Sequence, residues 1–156
     1  MHRYEARIAW QRGDAKFTDN RYSRGHEWSF DGGITVPASS SPKVVPTASV
    51  AAAVDPEEAL VASAASCHML WFLSLAAKRG FVVERYVDRA FGELAQNAAG
   101  KLAFSRITLR PAIVFAGAEP SGADLAALHH EAHDECYIAS SLKCDVVVES
   151  PVMEEK

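Results

Sequence analysis

The chain opens on alternation. Tyr4, Ala6, Ile8 and Trp10 fall on one side of an extended segment and Glu5, Arg7 and Ala9 on the other, the period of a half-buried strand. Gln11 to Asn20 is polar and contains Gly13, so it reads as a loop. Arg24 to Val36, ending around Asp31-Gly32-Gly33, reads as a short strand and turn. From Pro37 to Pro56 the chain is rich in Pro, Ser, Ala and Val without a helical or strand period. Long connections of this kind tend to be functional or mobile, and this one is expected to cover something.

Glu57 to Arg79 is the central feature of the pattern. Asp55-Pro56-Glu57-Glu58 supplies an N-cap acid, a proline at the first helical position and acids in the first turn. Lys78-Arg79-Gly80 supplies the cationic end and the stop. Ala59 to Ala77 carries no formal charge, and Leu60, Val61, Met69, Leu70, Trp71, Phe72, Leu73 and Leu75 cover every face. A helix apolar all round is expected to be buried on all sides. Roughly 17 to 25 apolar residues also suffice to cross a bilayer, but Ser63, Ser66, Cys67, His68 and Ser74 interrupt this run and its flanks look like an ordinary α+β domain. No membrane span is expected. One modest sheet covers one side of such a helix, so a partner subunit is expected to cover the other, which predicts a homodimer.

Phe81 to Ala95 and Leu102 to Phe115 are two extended stretches around Gln96-Asn97-Ala98-Ala99-Gly100, the composition of a hairpin turn, and are expected to pair antiparallel. A second helix follows Pro120. Ser121 with Asp124 approximates a capping box, and Leu125, Leu128, Ala132 and Cys136 recur along one face, so that Cys136 points inward near the helix end. Cys144 to Glu149 is a closing strand. The order of strands, helix, hairpin, helix and strand predicts an α+β fold, and 156 residues with 49% hydrophobic content fit a single domain over 1–156.

A formal charge of −4 gives no basic stripe for phosphate, so nucleic acid is not an expected partner. The first residues lack the pattern of a signal peptide, which predicts a cytoplasmic protein. Three cysteines, Cys67, Cys136 and Cys144, make neither a disulfide scaffold nor a C-x-x-C pair and are thiols by default in a reducing compartment. No Rossmann fingerprint, phosphate loop or G-x-S-x-G elbow is present, and no cofactor is expected.

A cysteine reacts as its thiolate, which needs a positive environment, and burial alone works against it. Cys67 lies about ten residues into its helix, roughly 15 Å along the axis, beyond the reach of the helix dipole. Another cation is required. The same rise puts Glu57 out of direct contact with Cys67 along one straight helix, so either the helix start is irregular or a symmetric dimer brings these groups together. Arg24, beside Gly25, is the preferred arginine, with Arg21 and Arg12 as alternatives, and Glu57 could hold its guanidinium. The bland readings are a buried hydrophobe for each cysteine, a solvated loop residue for Arg24, a helix-start acid for Glu57 and a packed core residue for His68. His129 and His133 stand at i, i+4 with Cys136 three further on, a set that could bind metal but is not H-E-x-x-H.

Pro56-Glu57-Glu58-Ala59-Leu60-Val61-Ala62-Ser63-Ala64-Ala65-Ser66-Cys67 resembles the first cysteine motif of the OsmC/Ohr family of thiol-dependent peroxidases, and Ala132-His133-Asp134-Glu135-Cys136-Tyr137-Ile138-Ala139-Ser140-Ser141 resembles its second. The similarity runs from about Tyr4 to Glu149. The resemblance implies an OsmC-like intertwined α+β homodimer, with two central cysteine-bearing helices packed against antiparallel sheets and sites at the subunit interface. It implies reduction of organic hydroperoxides and, less efficiently, of hydrogen peroxide. Cys67 matches the peroxidatic cysteine, Cys136 the resolving cysteine and Glu57 the acid that orients the family's arginine. An external dithiol, a lipoylated protein or a small molecule, would restore the thiols. Met69, Trp71 and Phe72 could line an apolar substrate pocket. His68-Met69-Leu70-Trp71-Phe72 and Arg24-Gly25-His26 depart from the better-known subgroups, as a third subgroup would. The rivals are a small-molecule or lipid-binding protein without turnover, and a metal-binding protein using His129, His133 and Cys136.

Overall fold

The computed structural model describes residues 1–149 and 152–153. The last residues of the expected domain, 150–151 and 154–156, lie outside them. The chain forms two compact units, Met1–Ala59 and Leu60–Lys156.

In the first unit, β1 (Ala6–Ala9), β2 (His26–Phe30) and β3 (Thr35–Ala38) make an antiparallel sheet in that order, with Ile8 opposite Trp28 and Trp28 opposite Val36. The loop between β1 and β2 holds a 3-10 turn at Phe17–Asp19 and folds Phe17 and Tyr22 onto Trp10. The long serine-rich connection after β3 is pinned rather than free. The buried hydroxyl of Ser39 accepts from Val50 N–H at 2.9 Å, Ser40 bonds Ser49 at 2.8 Å, and Ala38 and Val54 form a bridge. What it covers is the segment around Arg24: Arg24 N–H donates to the Ala48 carbonyl, and a Cβ on Gly25 would stand 3.2 Å from Val50 Cγ2.

α1 (Pro56–Lys78) has the ends that its sequence announces. The Asp55 carboxylate accepts from Glu58 N–H at 2.7 Å and Glu58 accepts in return from Asp55 N–H, a reciprocal capping box. At the other end Gly80, with φ of 81°, donates to the Ala77 carbonyl and Phe81 to that of Ala76, which closes the helix in a Schellman motif. Burial departs from expectation. Ala64, His68, Phe72 and Ala76 form one buried i, i+4 stripe, while Leu70 is 60% exposed. A single chain therefore covers one face of this helix and not all of them. α1 is long and apolar enough to cross a membrane by length and composition alone.

The two stretches pair antiparallel as expected, but not as one continuous hairpin. Each long stretch divides in two, giving β4 (Val82–Asp88), β5 (Phe91–Gln96), β6 (Leu102–Leu109) and β7 (Pro111–Ala116). β5 pairs antiparallel with β6 and β4 with β7, but in separate sheets. The ribbon turns a corner where Asp88 Oδ1 accepts from Arg110 N–H at 2.7 Å and Pro111 starts the new strand. α2 (Gly122–Glu135) follows, capped by Ser121, whose hydroxyl accepts from Asp124 N–H, and then α3 (Tyr137–Ser141). β8 (Asp145–Val148) and β9 (Val152–Met153) join β6 and β7 in parallel, so these sheets are mixed rather than antiparallel throughout.

Two cores result in the second unit. Phe72 and Ala76 of α1 pack with Ile113 and Phe115 of β7 and with Leu125, Leu128 and Ala132 of α2. Ala64 packs with Ile107 and Leu109 of β6 and Val146 of β8. On α1, Cys67 lies between the residues that anchor these two cores.

Candidate functional site

The α1 stripe places Cys67 one residue before buried His68, and the thiol is half-buried. Cys136 arrives from the other direction. It lies not within a helix, as its spacing predicts, but at the junction where α2 ends and α3 begins, with φ and ψ of −72° and 107°. An extended residue there breaks the helix, and the sulfur does the work of a cap: Cys136 Sγ accepts from Ala139 N–H at 3.3 Å. The side chain is 1% exposed.

The two thiols are neighbours. Burial is the larger cause, and a hydrogen bond with Cys67 the next, that push the Cys136 thiol up to about 11. Cys136 is therefore a protonated thiol at neutral pH, held against Cys67. Cys144 is half-buried against the core around Ala64 and Val146, a packing role.

Beside the thiols the sequence conceals a second pair. His68 Nε2 and His129 Nδ1 are 3.0 Å apart, the rings are stacked at 9°, and both side chains are buried at 1% and 5% exposure. Burial lowers both to about 4, and for His68 the neighbouring His129 and His133 add to the effect, so both rings are neutral at physiological pH. One ring donates and the other accepts. The outer atoms, His68 Nδ1 and His129 Nε2, are buried and have no hydrogen-bond partner among the described residues. The i, i+4 spacing of His129 and His133 suggests a shared metal, but His129 turns its Nδ1 to His68 and Cys136 turns its sulfur to Cys67 and Ala139. Among the described residues no three His, Cys, Asp or Glu side chains converge to hold a metal ion.

Of the proposed pocket residues, Phe72 is fully buried in the core, its ring against His129 and Tyr86. Met69 and Trp71 are half-buried, and Trp71 meets Tyr137, next to Cys136, edge-on at 5.8 Å. In the first unit Arg24 lies 3.8 Å over the Tyr22 ring and donates to the Tyr22 carbonyl and to Asn20 Oδ1, the latter at 2.7 Å. It does not pair with Glu57 within one chain. Glu57 is half-buried in the first turn of α1. Arg12 bonds the Ala15 carbonyl, and the backbone of Arg21 bonds Asp19. Arg24 lines an open pocket of about 450 Å³ whose other walls include Ile8, Trp10, Phe17 and Tyr22, a feature that sequence spacing does not reveal because its aromatics come from both sides of a polar loop.

The fold is α+β, with one cysteine on its central helix and a second at a helix junction. The chain matches the model of the OsmC-like protein family over residues 48–150, and it belongs to that family. It is similar to an OsmC-like protein of unknown function from Vibrio cholerae, with 50% identity, a TM-score of 0.93 and coverage of 96% of this chain and 99% of that one. Organic hydroperoxide resistance proteins from Elizabethkingia anophelis and Bacillus subtilis share the fold at 16% and 14% identity. Their TM-scores are 0.70 and 0.67, over 97% and 95% of this chain and 98% and 97% of theirs. No curated protein matches the chain.

Proposed function

We propose that the protein is a cytoplasmic, homodimeric thiol-dependent peroxidase that reduces organic hydroperoxides, and hydrogen peroxide less efficiently, in defence against oxidative stress. The observation that supports this reading is that the half-buried Cys67 thiol neighbours the buried Cys136 thiol closely enough to act on it. The Cys67 thiolate attacks the distal oxygen of the hydroperoxide; the O–O bond breaks and the alkoxide leaves with a proton as the alcohol. Cys67 is then a sulfenic acid. Cys136 attacks its sulfur, the hydroxyl departs with the Cys136 proton as water, and a disulfide remains. An external dithiol returns both thiols and is itself oxidised. Arg24 is the cation assigned to the thiolate, its pairing with Glu57 assigned to the proposed dimer rather than to one chain, and Met69 and Trp71 are assigned to the substrate's organic part.

Limiting cumene hydroperoxide is expected to remove two hydrogens from the intact mass of the protein. Cys67→Ser abolishes both this change and peroxide consumption; an unaltered rate in that variant would sink the proposal. Arg24→Met is expected to lower kcat/KM by about 100-fold, whereas Arg21→Met and Arg12→Met leave it nearly unchanged. The aromatic pocket beside Arg24 favours a second reading, a binding protein for an apolar small molecule or lipid. That reading predicts thermal stabilisation by the ligand without loss of thiols.

A further inference from the structure

The His68–His129 pair has no part in the reaction just described, yet two buried imidazoles with unsatisfied outer nitrogens are a costly way to fill a core. Two apolar side chains of similar size would pack there without that cost, and buried polar pairs of this kind can serve to fix one arrangement among several. Its position says which arrangement. His68 follows Cys67 directly on α1, and His129 lies on α2 two turns before Cys136. The bond thus ties the helix that carries one thiol to the helix that ends on the other. Phe72, four residues after His68, packs on the His129 ring at 4.6 Å and holds the same contact from one side.

We propose that His68 and His129 are a positioning pair: their hydrogen bond sets α1 against α2 so that the Cys136 thiol rests within reach of Cys67. The peroxide part of this inference rests on the proposed peroxidase reading, while the geometric part does not. A disulfide has narrow limits on Cα separation and dihedral angle, so a small slip between the helices slows its formation. The pair acts on disulfide closure and leaves the attack of Cys67 on peroxide nearly untouched.

Asparagine and glutamine separate the two ring nitrogens. His129→Asn keeps a polar atom where Nδ1 stands and His129→Gln does not; His68→Gln keeps one where Nε2 stands and His68→Asn does not. Each variant is treated with diamide, which takes up both thiol hydrogens, and in parallel with limiting cumene hydroperoxide in the presence of dimedone. Intact mass reports the disulfide and the trapped sulfenic acid. His129→Gln and His68→Asn are expected to close the disulfide about tenfold more slowly in both arms and to accumulate the dimedone adduct on Cys67, whereas His129→Asn and His68→Gln stay near the wild-type rate. Should variants at one position fail to fold, the crossed pattern at the other decides. Equal rates within a position overturn the pairing. If the wild type consumes no hydroperoxide but the diamide pattern holds, the peroxidase reading fails and the positioning pair stands.

Discussion

His68 and His129 are uncharged because water cannot reach them, and this gives the fold a pH dependence of known sign. Their folded values near 4 lie below the ordinary 6.5. Between those limits the unfolded chain binds more protons than the folded one, so stability is complete above about 6.5 and declines as the pH falls towards 4. The slope approaches about 1.4 kcal/mol per pH unit for each ring. For His68, burial is the largest cause of the lowered value, and the neighbouring His129 and His133 act in the same direction. Urea unfolding from pH 7.5 to 4.5 is expected to show this decline, and the double variant His68→Leu/His129→Leu is expected to flatten it; parallel profiles would refute the assignment. At this scale the sequence is uneven. Cys67 and Cys136 stand out through the motifs around them, but the partner of His68 is 61 residues away and nothing in the spacing of His129 and His133 points to it. Arg24 is legible as a candidate and its present partners, Asn20 and Tyr22, are not.

Among elements, α1 is the most legible, because its ends are written in local chemistry: Asp55 and Glu58 at one, Gly80 at the other. The four-stranded ribbon is the least. Phe81 to Ala95 and Leu102 to Phe115 are each apolar enough to pass for one strand, and the corner depends on the Asp88 carboxylate meeting a backbone 22 residues away. Pro111 is the signal that could have exposed it, since proline favours the first position of a strand. Gly92 marks the other constraint on this ribbon. A Cβ there would stand 2.8 Å from Val61 Cγ2 and closer still to the Phe104 ring. Gly92→Ala is therefore expected to destabilise the fold by about 1–3 kcal/mol through overpacking, read as a lowered denaturant midpoint. A midpoint equal to that of the wild type would show that Phe104 can turn aside.

For the whole molecule, the α+β class and the order of elements follow from periodicity. The parallel docking of β8 and β9 does not, because a short Val-rich strand carries no mark of its direction. Apolar patterning promises a helix covered on every side; one chain covers a single stripe, and the remainder is what the proposed homodimer would bury. Leu70→Asp is expected to convert a dimer into a monomer in sedimentation velocity at micromolar concentration, and an undiminished dimer would place the interface elsewhere. One bond described above makes the redox state of the protein observable without chemistry on the thiols. The sulfur of Cys136 receives the amide hydrogen of Ala139, so any event at that sulfur alters the magnetic environment of one backbone proton. In a nitrogen-15 spectrum the Ala139 resonance should move as the reduced form gives way to the proposed disulfide, a single peak that counts oxidised chains in a mixed population.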